Sequence, residues 1–175
     1  GDTDIAAQIF TPALGADGDF TDGAETVVLG DGGEAVAVLG GDDSVTGGAG
    51  DDTVRGGAGD DTVAGGAGAD RIDGGPGSDT ADYAASPSPV SVALGQPGQT
   101  GGGALGDVLV SIERLLGSAG DDTLGAGAGD TTLSGGPGGD TLILGPGFDL
   151  VADGLADLDG DRIEGARTGD AIRVA

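Results

Sequence analysis

Apolar residues return every ninth position along most of this chain. Units that begin at the glycine pairs 47, 56, 65 and 74 carry Val54, Val63, Ile72 and Ala81 at their eighth place. The same frame extends upstream through units at 38, 29 and 20, with Val45, Val36 and Val27 at place 8. It returns at 117 with Leu124, Leu133, Leu142 and Val151. Residues 153–155 shift the phase, after which Ile163 and Ile172 keep the spacing. Three residues around place 8 suffice for a short strand whose middle side chain points inward. The other six must turn the chain, and glycine supplies the positive φ that tight turns need. The pattern predicts an all-β fold. Two units form one flattened coil of 18 residues, and coils stack at roughly 4.8 Å into two parallel sheets that face each other across a thin aliphatic layer. Threonine at place 7 (Thr53, Thr62, Thr80, Thr123, Thr132 and Thr141) suits a strand and is expected to point outward.

Residues 83–116 break the frame. The segment opens YAASPSPV, then alternates through Val90, Val92 and Leu94, runs through the glycine-rich GQPGQTGGGALGD, and closes with VLVSIERLLG. This reads as a strand, a surface loop and a short turn or helical turn near Ile112 to Leu116. Its 34 residues come close to four units, so a wider pair of coils in the same stack is expected rather than a separate domain. The whole of 1–175 is then one domain: an N-terminal cap at 1–19, in which Phe10 and Leu14 seal an end; a first repeat block at 20–82; the wide coil at 83–116; a second block at 117–152; and degenerate C-terminal repeats or a cap at 153–175.

Charge changes this picture. Place 6 is acidic almost throughout, as Glu25, Glu34, Asp43, Asp52, Asp61, Asp70 and Asp79, then Asp122, Asp140 and Asp149, with Thr131 the exception and Asp130 one place early. The formal net charge is −25, the six cations are all arginine, and the aromatic residues are Tyr83, Phe10, Phe20 and Phe148. A chain this acidic, with so few large side chains, should not bury enough apolar surface to offset its conformational entropy. Something must neutralise the carboxylates, and a divalent cation is the simplest candidate.

The missing residue types exclude much chemistry. Without cysteine there is no disulfide or thiolate site, and without histidine the usual general base and transition-metal ligand are gone. Without lysine there is no phosphate-binding P-loop and no Schiff base. The negative charge argues against nucleic acid and anionic membranes. No apolar run approaches the roughly 20 residues of a membrane-spanning helix, and the first residues do not read as a secretory signal peptide. No base is at hand to activate a serine or threonine, and the carboxylates belong to the ladder, so neither a catalytic residue nor an organic cofactor is expected. Asp157 to Gly165 (DLDGDRIEG) has its glycine misplaced for a helix–loop–helix calcium loop and reads as a degenerate repeat or cap. Tyr83 reads as a packing residue, and the arginines as surface partners of acids.

Loops alternate between the two edges of such a stack, so each lies over the next but one. Carboxylates then meet in pairs: Asp43 with Asp61, Asp52 with Asp70, Asp61 with Asp79, and Asp122 with Asp140. Stacked like charges repel, and calcium, which takes about 6 to 8 oxygens including backbone carbonyls, reverses the sign. Magnesium keeps its waters and fits less well. Several calcium ions are expected. Their ligands would be the carboxylates named, with Asp149, and the carbonyls of Gly47, Gly48, Ala49 and Gly50; Gly56, Gly57, Ala58 and Gly59; Gly65, Gly66, Ala67 and Gly68; Gly74, Gly75 and Gly77; Gly117 and Ala119; and Gly135, Gly136 and Gly138. Folding and calcium binding become one event.

The unit G-G-x-G-x-D-x-U-x resembles the haemolysin-type calcium-binding repeat of RTX proteins, most closely at 47–82 and 117–143 and more loosely at 20–46 and 144–175. The segment SDTADYAASPSPVSVAL…GDVLVSIERLLGSAGDDTL resembles an interruption often found between RTX blocks. The resemblance implies a right-handed β-roll with calcium between stacked loops, type I secretion, and folding outside the cell. Two roles follow from it. One is a structural, adhesive or self-assembling secreted protein, forming an oligomer, filament or surface layer through exposed parallel edges at both ends. The alternative is an accessory and secretion module of a larger protease, lipase or alginate epimerase. Ice binding, which some RTX proteins perform, is disfavoured because the chain has no asparagine and place 5 varies through Asp51, Asp60, Ala69 and Ser78.

Overall fold

A computed structural model of the chain describes residues 8–10, 22–154, 158 and 160–174. Its strands, nearly all three residues long, are β1 (Gln8–Phe10), β2 (Thr26–Val28), β3 (Ala35–Ala37), β4 (Ser44–Thr46), β5 (Thr53–Arg55), β6 (Thr62–Ala64), β7 (Arg71–Asp73), β8 (Thr80–Asp82), β9 (Ser91–Ala93), β10 (Val108–Val110), β11 (Arg114–Leu116), β12 (Thr123–Gly125), β13 (Thr132–Ser134), β14 (Thr141–Ile143), β15 (Leu150–Asp153), β16 (Arg162–Glu164) and β17 (Ala171–Val174). Each repeat strand carries its place-8 aliphatic residue at its second position, and in the most regular units, as after β4, β5, β6 and β7, a glycine pair follows directly.

The strands stack as a parallel β-solenoid, and the fold is the expected β-roll. One long sheet runs β1-β2-β4-β6-β8-β11-β13-β15-β17, and the opposite face is divided into β3-β5-β7-β10 and β9-β12-β14-β16. Within the repeat blocks neighbouring strands are offset by 18 residues, as in Thr26 opposite Ser44, Thr53 opposite Arg71 and Thr123 opposite Thr141. At the C-terminal end the offset becomes 21, as in Thr141 opposite Arg162 and Leu150 opposite Ala171. Three inserted residues in that connection are absorbed without loss of pairing.

The core is one layer thick. Val27, Val45, Val54, Val63, Ile72, Ala81, Leu115, Leu124, Leu133, Leu142 and Val151 are fully buried. Each of the larger side chains contributes about 1.5–3 kcal/mol by leaving water. Val36 and Ile163 are only partly buried. Ile172, expected inside, is 58% exposed, because β17 is the last strand of its sheet and nothing described lies beyond it. Among the place-7 threonines, Thr80 is buried and the others are half-buried on the outer face.

The interruption belongs to the stack. It advances the long sheet by a single rung, with Arg114 opposite Thr80. On the other face it lays two strands: β9 founds the second short sheet beside β12, and the chain then returns to complete the first with β10 beside β7. It is one coil with a doubled face rather than two coils. Of the turn or helical turn expected near Ile112 to Leu116, residues 111–113 form a corner without helix, and Arg114–Leu116 is strand β11. Leu115 fills the place-8 position of that rung, paired between Ala81 and Leu133. The helical piece of this segment is a 3-10 turn at Gly102–Ala104 within the loop. Gln99 fastens that loop: its side chain accepts from Ala93 N at 2.7 Å and donates to Ala93 O and Gln96 O.

The N-terminal edge of the long sheet is covered, because β1 pairs antiparallel with β2, Phe10 opposite Thr26. The expectation of open parallel edges at both ends therefore fails for this edge. Leu14 and most of the 1–19 segment lie outside the described residues.

Candidate metal centre

Most turns before a repeat strand place an acidic side chain under the turn two units earlier. Asp43 Oδ1 accepts from Glu25 N at 2.7 Å, Asp61 Oδ1 from Asp43 N at 2.9 Å, and Asp79 Oδ1 from Asp61 N at 2.9 Å. Along the opposite edge, Asp52 accepts from Glu34 N and Asp70 from Asp52 N. In the second block Asp140 accepts from Asp122 N and Asp149 from Thr131 N, and the ladder continues into Asp161 and Asp170. The expected pairs do stack, and the link between them runs from carboxylate to backbone amide. These bonds use one oxygen of each group.

The second oxygen carries the chemistry. Oδ2 of Asp43, Asp52, Asp61, Asp70, Asp79 and Asp140 is buried and has no hydrogen-bond partner. A buried carboxylate oxygen with no donor is strongly unfavourable. The glycines show what space these oxygens face. A Cβ on Gly47 would meet Asp52 Oδ2 and Gly65 O together, and one on Gly56 would meet Asp61 Oδ2 and Gly74 O. Carbonyls of places 2 and 4 face the same inter-coil gap: a Cβ on Gly66 would strike Gly48 O, and one on Gly68 would strike Gly50 O. Gly68 also has φ of 142°, outside the range of other residues. Several of these carbonyls also hold the coils together: at place 3, Ala58 O and Ala67 O accept from Gly41 N and Gly50 N at 2.8 Å; at place 2, Gly48 O accepts from Ala67 N at 2.9 Å; and at place 1, Gly74 O accepts from Gly57 N at 2.9 Å. Among the described residues no three acidic side chains converge on one point. An ion here would be shared between carboxylates and carbonyls, a donor set of hard oxygens that suits calcium.

Some ladder members differ. Asp122 is satisfied on both oxygens, by Val90 N at 2.7 Å and by Ser118 N at 2.5 Å and Ser118 Oγ at 2.8 Å. Asp149 takes Thr131 N on one oxygen and Gly145 N, at 2.8 Å, on the other. Asp130 belongs to an outer, exposed ladder at place 5, where it accepts from Phe148 N as Asp42 does from Asp60 N and Asp51 from Ala69 N. Two ladder positions lie in the interruption and were not anticipated. Asp107 accepts from Asp70 N at 2.8 Å, and Glu113 from Asp79 N at 3.0 Å. Their signal was the acid-x-aliphatic spacing, Asp107 before Leu109 and Glu113 before Leu115.

Burial raises these acids. It pushes Asp43, Asp79 and Asp140 up to about 6 from an ordinary 3.8, with neighbouring carboxylates adding to the effect and backbone amides opposing it. Asp61 and Asp70 rise for the same reason. The ion pairs among the described residues, Arg71–Asp73 and Arg162–Glu164, lie on the outer faces and leave the ladder uncompensated.

Sequence comparison agrees with this geometry. The family described as the RTX calcium-binding nonapeptide repeat (4 copies) matches residues 28–63, 46–81 and 116–151, together more than half of the chain. No curated protein matches it.

Proposed function

Because the chain belongs to the RTX calcium-binding nonapeptide repeat family, we propose that it is a structural module of a secreted bacterial protein that folds when calcium enters its loops. The observation that carries this reading is the row of buried, partnerless Oδ2 atoms facing backbone carbonyls. Asp43, Asp52, Asp61, Asp70, Asp79 and Asp140 would hold the ions with backbone carbonyls of the glycine-rich turns. Asp122 and Asp149, whose oxygens are already bonded, would act mainly as struts. In a cell interior where calcium is scarce, the ionised ladder would keep the chain expanded and fit for export; outside, calcium would close it.

A self-assembling or adhesive role rests on the C-terminal end, where Ile143, Phe148 and Ile172 are exposed and β16 and β17 offer edges. Packing would use this end, since β1 covers the opposite edge of the long sheet. No helix among the described residues is long and apolar enough to cross a membrane. The module supplies binding and shape; it performs no catalysis. Small-angle scattering tests the central reading. In chelator the radius of gyration should approach roughly 44 Å, the value for an expanded chain of this length, and it should fall by more than half in calcium. A radius indifferent to calcium would overturn the proposal.

A further inference from the structure

We propose a cation site at the seam between the first repeat block and the interruption, built from Asp79, Ser111 and Glu113. It rests on the calcium reading above and adds a site outside the repeat pattern, since Ser111 and Glu113 lie beyond the matched residues.

A repeat turn places six residues between strands, as between β7 and β8; β10 and β11 are joined by three, Ser111, Ile112 and Glu113. This shortened corner reproduces two parts of a full loop. Ser111 follows β10 as a place-1 glycine follows a repeat strand. A Cβ on Gly74 would meet Ser111 O and Asp79 Oδ2 together, as one on Gly47 meets Gly65 O and Asp52 Oδ2. The serine carbonyl thus faces the same gap as a repeat carbonyl. It does so with φ of 51°, a left-handed conformation uncommon outside glycine. Glu113 stands one residue before β11, where the ladder acid belongs. Its longer side chain spans the shortened corner, and Oε2 accepts from Asp79 N at 3.0 Å.

Asp79 is 0% exposed and its Oδ2 has no partner. No arginine pairs with Asp79 or Glu113 among the described residues. A cation between Asp79 Oδ2, Ser111 O and the Glu113 carboxylate would satisfy the orphan oxygen and separate the two charges. The donors are all oxygen, and two are carboxylates, which selects a hard divalent ion and favours calcium.

Equilibrium dialysis of the whole chain against calcium counts the bound ions. Glu113→Gln keeps an acceptor for Asp79 N, so the coil is retained, as circular dichroism at saturating calcium would verify. This variant should bind one ion fewer than the parent, with the remaining affinities unchanged. Glu113→Asp keeps the charge but withdraws the oxygen, and should weaken one ion at least tenfold. Glu164→Gln, on the outer face, should keep the full count. Equal counts and affinities in the parent and both Glu113 variants would overturn this site while leaving the family reading intact. A parent chain that binds no calcium would overturn both.

Discussion

The hydroxyl of Tyr83 donates to Asp107 Oδ2 at 2.9 Å, and Asp107 Oδ1 accepts from Asp70 N. Both residues are buried. Asp107 is thus a ladder carboxylate whose second oxygen meets a tyrosine instead of the inter-coil gap that its repeat counterparts face. The ladder of Asp52 and Asp70 ends in a bond that needs no metal, at the point where the opposite face of the roll changes sheets. Removing the hydroxyl would leave a fully buried carboxylate oxygen without a donor. Tyr83→Phe should therefore cost about 1–3 kcal/mol, read from denaturant midpoints at saturating calcium. A loss near zero would show that Asp107 finds another partner. Because Tyr83 is the single tyrosine in a chain without tryptophan, the substitution also removes the tyrosine fluorescence, and circular dichroism must follow unfolding in both parent and variant.

At Gly68, a place-4 position, glycine is required by both conformation and space, whereas Gly129 holds the same place in its unit under neither constraint. Gly68→Ala would put a methyl against Gly50 O at a φ of 142°. Strain of this kind costs about 1–3 kcal/mol, and the methyl also enters the gap assigned to the ion. Gly129→Ala meets nothing within 4 Å and should be close to neutral. Thermal unfolding of the two variants in calcium should separate them clearly; equal midpoints would contradict the close approach of the coils.

Asp61→Asn should act with opposite signs in the two states. Asparagine keeps an acceptor for Asp43 N, which Asp61 serves at 2.9 Å, but removes a buried charge. In chelator the variant should be no less structured than the parent. In calcium its folding midpoint should move to higher concentration by about tenfold or more, near 1.4 kcal/mol. A midpoint unchanged within twofold would remove Asp61 from the ligand set.

Protons should substitute in part for calcium. Asp43, Asp79 and Asp140 have folded values of about 6 against an ordinary 3.8, so folding takes up protons between those pH values. Below about pH 4 each group is neutral in both states and burial is tolerated; above about pH 6 it is ionised in both and the penalty is complete. Metal-free stability is therefore greatest in acid and is lost as pH rises through 6. With calcium the dependence reverses, since protons compete for the same oxygens. Circular dichroism in chelator across pH 4 to 8 checks the first statement, and calcium midpoints at pH 5.5 and 7.5 check the second. Metal-free structure that increased with pH would contradict the assignment of the buried ladder.

The roll and its ladder were legible because each signal recurs. Val54, Val63 and Leu133 mark strands by position, and Asp52, Asp61 and Asp140 mark loops at a constant distance from them. The interruption was harder. Ile112, Leu115 and Leu116 fall at the spacing of a helix face, yet pairing of β11 with β8 and β13 on both sides decides in favour of a strand. Asp107 and Glu113 join the ladder through offsets of 37 and 34 residues, which a search at 18 does not find. Tyr83 reads as a packing residue because its sequence position carries no hint of the carboxylate beside it. Which acids keep a free oxygen also depends on departures from the repeat consensus, as Ser118 at place 2 of its unit shows by filling the bonds of Asp122.

The most direct test of the account is far-UV circular dichroism during a calcium titration of chelated chain at neutral pH, with magnesium as control. A cooperative change from coil to β-structure with calcium, and little response to magnesium at equal concentration, is the predicted result. A chain already fully folded in chelator, or unchanged at tens of millimolar calcium, would contradict the claim that cations between the coils hold this fold together.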